Sequence, residues 1–222
     1  MSVLFFTNCN NDNQRITEGT IEYDITYPCL ERNNNSLMFL LPKKMITTFK
    51  DHCYKNEFVF ANENSKLEVI SLCESKNTTL AFGYGKSKKY TQLDSSTTYN
   101  LLEELPNYNK YDEKIDTITF LKQPCFSYKI QSDLNDSVYD IVTTNAISIN
   151  NVNWCTPFNK IDEVLLQYDI IQYGIEMNFK ATKIKSGKVE NDFLDLEKGY
   201  NYLDIQQYLK ELKVLFSMFQ CS

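Results

Sequence analysis

The chain has 222 residues, a formal net charge of −6 and a pI near 5.0, with 42% hydrophobic and 23% charged residues. That balance excludes wholesale disorder, and the length lets a fold bury roughly 70% of the unfolded surface without a metal or staple. The acidity argues against nucleic acid or an anionic membrane as the main partner, the single His removes most His-based catalytic and metal sites, and the six Gly leave little for phosphate-binding loops.

At the amino terminus, the apolar run Met1–Phe6 leads to Cys9, and the polar stretch Asn10–Gln14 follows. A short apolar run ending at Cys before a polar tether has the look of the end of a bacterial lipoprotein signal, with Cys9 as the lipidated residue. The run is shorter than a full signal and has no basic region, so the expectation is of a signal that starts further upstream; the alternative is a disordered or strand-forming N-terminus in which Cys9 is incidental. Residues 1–16 are assigned to this remnant and tether, and 17–222 to one domain. Acyl chains would hold such a protein on a bilayer at about 0.8 kcal/mol per buried methylene. No stretch reaches the roughly 18 apolar residues of a membrane-spanning helix.

Period-two alternation dominates the chain from Thr20 onward. Ile21, Tyr23, Ile25 and Tyr27 alternate with Thr20, Glu22, Asp24 and Thr26, the pattern of a half-buried antiparallel strand. Strands are predicted over about 43–50, 54–61, 66–74, 78–84, 88–93, 114–121, 125–131 and 138–144, at roughly ten residues per strand. A short helical turn is expected within Ser95–Leu105. Two further alternating stretches, Leu166–Ile170 and Ile175–Thr182, flank Tyr173-Gly174, which reads as a tight hairpin turn. The period then changes: Asp204 can cap a helix whose apolar stripe is Ile205, Tyr208, Leu209, Leu212, Phe216 and Phe219. The predicted fold is mainly β, a curved antiparallel half-barrel with this helix packed on its concave face.

Such a sheet can enclose an apolar hollow. Strand faces that should point inward nominate Ile21, Tyr23, Ile25, Tyr168, Met177 and Phe179 as its lining. Trp154, in the unusual cluster with Pro157 and Phe158, reads either as a packed corner or as a cavity rim. Neighbouring His52 and Cys53 point to opposite faces of a strand and make a poor nucleophile pair, and a turn is the simpler reading. Gly83-Tyr-Gly85-Lys-Ser87 lacks the spacing of a phosphate loop and reads as a hairpin turn. No catalytic residue, metal ligand or cofactor is nominated. Apart from Cys9, six cysteines remain (Cys29, Cys53, Cys73, Cys125, Cys155 and Cys221); none is spaced as a zinc ribbon, and their pairing is open.

Four blocks together resemble envelope proteins of Bacteroidetes in the GLPGLI and LolA-like groups of unknown function: Thr17–Pro28, Leu40–Asp51, Lys114–Lys129 and Asn150–Tyr168. The last block, with Asn153-Trp154 followed by Pro157-Phe158, is the most recognisable. It departs from the group at Glu163, where Gly is common. The resemblance implies an envelope lipoprotein, periplasm-facing and membrane-anchored through Cys9, with a LolA/LolB-like half-barrel. The group itself implies no particular ligand; the leading expectation is a monomer without enzymatic activity that holds a lipid or other apolar small molecule between the curved sheet and the terminal helix. The alternative is a structural or interaction module of the envelope with a filled core and no ligand.

Overall fold

A computed structural model describes residues 15–219 apart from 63, 104, 112–114, 134 and 135. Cys9, the tether and Cys221 lie outside the described residues. In chain order the elements are β1 (Glu18–Thr26), α1 (Pro28–Arg32), a 3-10 turn (Met38–Leu40), β2 (Lys44–Lys50), β3 (Cys53–Val59), β4 (Ser65–Leu72), β5 (Asn77–Tyr84) and β6 (Ser87–Leu93). Then come α2 (Ser95–Leu102), β7 (Tyr108–Lys110), β8 (Asp116–Phe120), β9 (Gln123–Ser132), β10 (Val138–Thr144), β11 (Val164–Gln172) and β12 (Ile175–Ser186). β13 (Asn201–Tyr202) and α3 (Ile205–Phe216) end the chain's described part, with a last 3-10 turn at Ser217–Phe219.

The strands form one large curved sheet that does not close, in the order β13-β6-β5-β4-β3-β2-β1-β12-β11-β10-β9-β7, with β8 also on β9. Every pairing is antiparallel except the two-residue contact of β13 with β6. The mainly β, open half-barrel architecture with a terminal helix is therefore as expected from the alternation. Two register breaks help it curl. Between β1 and β12 the register skips Thr182, and between β10 and β11 it skips Leu166. Each extra residue bends its strand and increases the local twist. Gly19 sits where β1 meets the end of β12: a Cβ there would fall 2.1 Å from the Lys185 carbonyl oxygen, so only glycine fits. Tyr173 and Gly174, both at positive φ, make the predicted tight turn.

Directly paired residues of an antiparallel sheet share a face. The registers thus line up Phe82, Leu67, Phe58, Met45 and Tyr23 across five strands on one side. This is the inner face, and two segments cover it. The first is the irregular loop 145–163. It carries Trp154, whose Nε1–H donates to Ser71 Oγ at 2.9 Å, and Phe158, stacked on Tyr108 with centroids 4.6 Å apart. Asn153 braces the loop by donating to the carbonyls of Ile161 (2.7 Å) and Glu163 (2.9 Å). Glu163 itself is not at positive φ, so this turn does not need the glycine common in the resembling group.

The second cover is α3. Asp204 caps it by accepting the Gln207 N–H at 3.0 Å. Its stripe sets Tyr208 edge-on to Phe82, 5.1 Å between centroids, and Glu211 pairs with Lys89 on β6. Farther along, Phe216 stacks on Tyr173 of the β11–β12 turn at 5.3 Å. The helix therefore bridges two parts of the sheet that are far apart in strand order, lying on the inner face as predicted.

Between β12 and α3 the chain crosses the outer face as an ordered strap. Lys50 Nζ donates to the Val189 carbonyl and to Asn191 Oδ1, Lys66 and Lys88 both pair with Glu197, and the Tyr200 hydroxyl donates to Glu68 Oε2 at 3.0 Å. Glu68 in turn holds Lys55 at 2.8 Å, an ion pair whose side chains are 3% and 9% exposed.

Candidate apolar site

A cavity of about 430 Å³ lies at one end of the half-barrel. Its floor is the inner face of β4 and β5, through Leu67 and Phe82. The helix supplies Leu212, Leu215 and Phe216, and the 3-10 turn after α1 supplies Phe39, Leu40 and Leu41 from the other side. Asn62 and Ser65 at the β3–β4 turn put polar side chains at one lip, while Lys66 beside them turns its ammonium to Glu197 on the outer face, so the hollow is greasy over most of its wall. That combination accommodates a hydrocarbon chain with a small polar end.

The local chemistry explains why these walls stand. Leu37-Met-Phe-Leu-Leu41 is too short and too aperiodic for a helix or a paired strand. It folds instead into a single 3-10 turn with Phe39 58% and Leu40 40% exposed. α1 before it starts with Pro28 at its first turn, and the Tyr27 hydroxyl donates to the Pro42 carbonyl at 2.6 Å, which ties the two ends of this excursion together. Cys29, within α1, is disulfide-bonded. Cys53, Cys73, Cys125 and Cys155 are free thiols.

None of the seven residues nominated from the sequence lines this cavity. Ile21, Tyr23, Ile25 and Phe179 are buried on the inner face, and half-buried Tyr168 stacks on Phe179 with centroids 4.9 Å apart. Tyr23 meets Tyr168 edge-on, and its hydroxyl donates to the Leu165 carbonyl at 2.8 Å. Met177 packs against the same cluster. Burial without a compensating charge pushes the Tyr23 and Tyr168 hydroxyls well above the ordinary tyrosine range. Trp154 is the packed corner of its two readings. The structure thus brings the seven together as the solid part of the interior, with loop 145–163 packed over them. The lining that sequence reasoning missed had one signal in the chain, the five-residue apolar run Leu37–Leu41 directly before Pro42.

His52 sits in the β2–β3 turn, with Asp51 and His52 both at positive φ, and its Nδ1 accepts the Asn150 N–H at 3.1 Å. It fastens loop 145–163 to that turn. Tyr54, Ser71, Cys73 and Cys155 form a neighbouring buried cluster, where desolvation pushes the Cys73 thiol up to about 12 and keeps it protonated. Among the described residues no group of His, Cys, Asp and Glu is placed to hold a metal ion, and no helix is long and apolar enough to cross a membrane. No known protein family matches the chain, and no curated protein matches it either.

Proposed function

We propose that this chain is an envelope lipoprotein that binds, without chemistry, a lipid-like molecule in the cavity beneath α3. One observation carries the reading: an apolar hollow of about 430 Å³ lies between the sheet, the 3-10 turn and the helix, beside a densely packed core cluster. Ligand pockets generally run from about 300 to 1,000 Å³, so the volume suits one chain-like molecule and not a bulky multi-chain lipid. The grouping of Asn62 and Ser65 at one lip supports an amphiphile oriented with its polar end there. Anchoring through Cys9, a periplasm-facing location and a monomeric state complete the proposal. They draw on the amino-terminal pattern and on the resemblance to the GLPGLI and LolA-like groups.

Native mass spectrometry of protein purified from its own host tests this reading, alongside displacement of a fluorescent fatty-acid probe. The expected result is a co-purified adduct of a few hundred daltons and saturable probe uptake. Uptake should be lost when Leu67→Trp fills the cavity. Adduct-free protein that also fails to take up the probe sinks the proposal. The packed cluster around Tyr168 and Phe179 favours the second reading, an interaction module with a filled interior, and that outcome would select it.

A further inference from the structure

We infer that the mouth of the cavity is a docking surface for a lipid bilayer. This rests on the proposed binding of a lipid-like molecule and says how that molecule gets in. Of the twelve exposed large hydrophobic residues among those described, six sit at this one end of the half-barrel: Leu37, Phe39, Leu40, Val59, Tyr84 and Met218. The strand directions put them there. β3 and β5 end at this edge, with Val59 and Tyr84 in their last positions, while β2 and β4 begin at it. The 3-10 turn carrying Phe39 and Leu40 leads into β2, and Met218 comes just after the end of α3.

Four of the six, Phe39, Leu40, Tyr84 and Met218, also line the cavity. The outward apolar patch and the inward apolar wall are therefore one continuous surface, folded over a lip. Most exposed apolar side chains on a soluble fold are scattered singly, and a clustered set marks a contact. The continuity says which contact. A hydrocarbon chain passing from a bilayer across this lip stays against apolar atoms throughout, whereas any path through water strips it of them one methylene at a time. A protein docked on the patch would instead cover the mouth.

The charges agree. Lys43, Lys44 and Lys86 stand exposed beside the patch. Lys66 and Lys88 share the single carboxylate of Glu197. Asp24 and Glu31 are the exposed acids on the neighbouring ends of β1 and α1. This edge is thus slightly basic in a chain of net charge −6. Lysines can lay their stems along acyl chains and keep their ammonium groups among headgroups.

The test is vesicle flotation of the full chain carrying Cys9→Ser, so that no acyl anchor contributes. Phosphatidylcholine vesicles are compared with the same vesicles containing an anionic lipid. The protein should float with both, more strongly and with salt sensitivity on the anionic set. Phe39→Ser combined with Tyr84→Ser and Met218→Ser should cut partitioning by about tenfold or more, because all three side chains are already exposed and their loss removes membrane-facing area, not core. An unchanged thermal unfolding midpoint verifies that the variant folds.

Protein that stays unfloated on both vesicles overturns the inference, as does a triple variant that floats like its parent. Self-association that the triple variant abolishes, without flotation, overturns it in favour of a protein-facing patch. Leu67→Trp separates the two proposals: it should still float while losing probe uptake. Uptake without flotation removes only the docking surface. Flotation without any uptake leaves the docking surface and removes the cargo.

Discussion

Replacing Glu68 tests whether the strap on the outer face is structural. Its carboxylate holds Lys55 Nζ at 2.8 Å and accepts the Tyr200 hydroxyl at 3.0 Å, with the Glu68 side chain 3% and the Lys55 side chain 9% exposed. Glu68→Leu leaves a buried ammonium whose remaining acidic partner is Glu57 at 3.7 Å, a side chain 44% exposed and so well solvated. Removing one member of a buried pair costs about 3–5 kcal/mol. Glu57 offsets part of that, so the lower end applies, about 3 kcal/mol. In a chain of this size each kcal/mol moves the melting temperature by about 2–4 °C, which gives a fall of about 6–12 °C. The double change Lys55→Met with Glu68→Leu removes both charges and should recover most of the loss. Urea unfolding of the three proteins measures it, and the m-value should stay constant while the midpoint moves. Hydrogen exchange should show faster opening of residues 187–200 in the single variant and not in the double. A single variant that costs under about 1 kcal/mol, or a double as unstable as the single, refutes the claim that this pair pins the strap.

The same geometry sets three other outcomes. The Tyr208 hydroxyl is buried over Phe82 with no hydrogen-bond partner, so Tyr208→Phe should be neutral or stabilising by up to about 1 kcal/mol, as a urea midpoint will show. The Cys73 thiol, raised by burial to about 12 and fully inaccessible, should be the last of Cys53, Cys73 and Cys155 to be alkylated in the native protein, which peptide mapping by mass spectrometry checks. Hydrogen bonds from Lys66 and then Lys88 hold the Glu197 carboxyl down to about 2, below its ordinary 4.5. A depressed carboxylate contributes stability that is present in full above 4.5 and is lost as pH falls toward 2. The stability gap between the parent and Glu197→Gln should therefore be open at neutral pH, small because the pair is half-exposed, and closed near pH 2.

Where side chains alternate against water, the sequence is explicit about the fold. Ile21, Tyr23 and Ile25 or Ile175, Met177 and Phe179 can face only one way, and the strands they predict match β1 and β12 within a few residues. The steps of three and four from Tyr208 to Phe219 define α3 for the same reason. β7 and β13 are too short to carry a period, and α1 hides behind Pro28. The site was illegible for a different cause. Period two tells which residues share a face but not what covers that face, and loop 145–163 has no period at all. Its Trp154 and Phe158 cover the lengths of strand whose side chains looked most like a cavity wall, so the empty volume is left at the other end. There the wall comes from an aperiodic run, Phe39–Leu41, that no strand or helix template selects.

The division of the inner face comes from the openness of the sheet. A closed barrel of this many strands would satisfy its own edges; here β6 is edged only by the two residues of β13, and the interior must be covered by inserted segments. Loop 145–163 is held by hydrogen bonds at Ser71, Asn153 and His52 and by stacked rings at Phe158, a dense set of directional contacts that fixes one arrangement. α3 is held by fewer: the Phe82–Tyr208 edge contact, the half-exposed Lys89–Glu211 pair and the Tyr173–Phe216 stack, with the cavity beneath it. Exposed ion pairs contribute about 0–1 kcal/mol, and atoms lining a void forgo the dispersion contacts on that side. The helix is therefore the more lightly fastened of the two covers, at the same end as the exposed apolar rim. The turn after it is the firmer end, because Phe219 is 3% exposed and sits with Phe216 against the main core cluster that includes Tyr23 and Phe179.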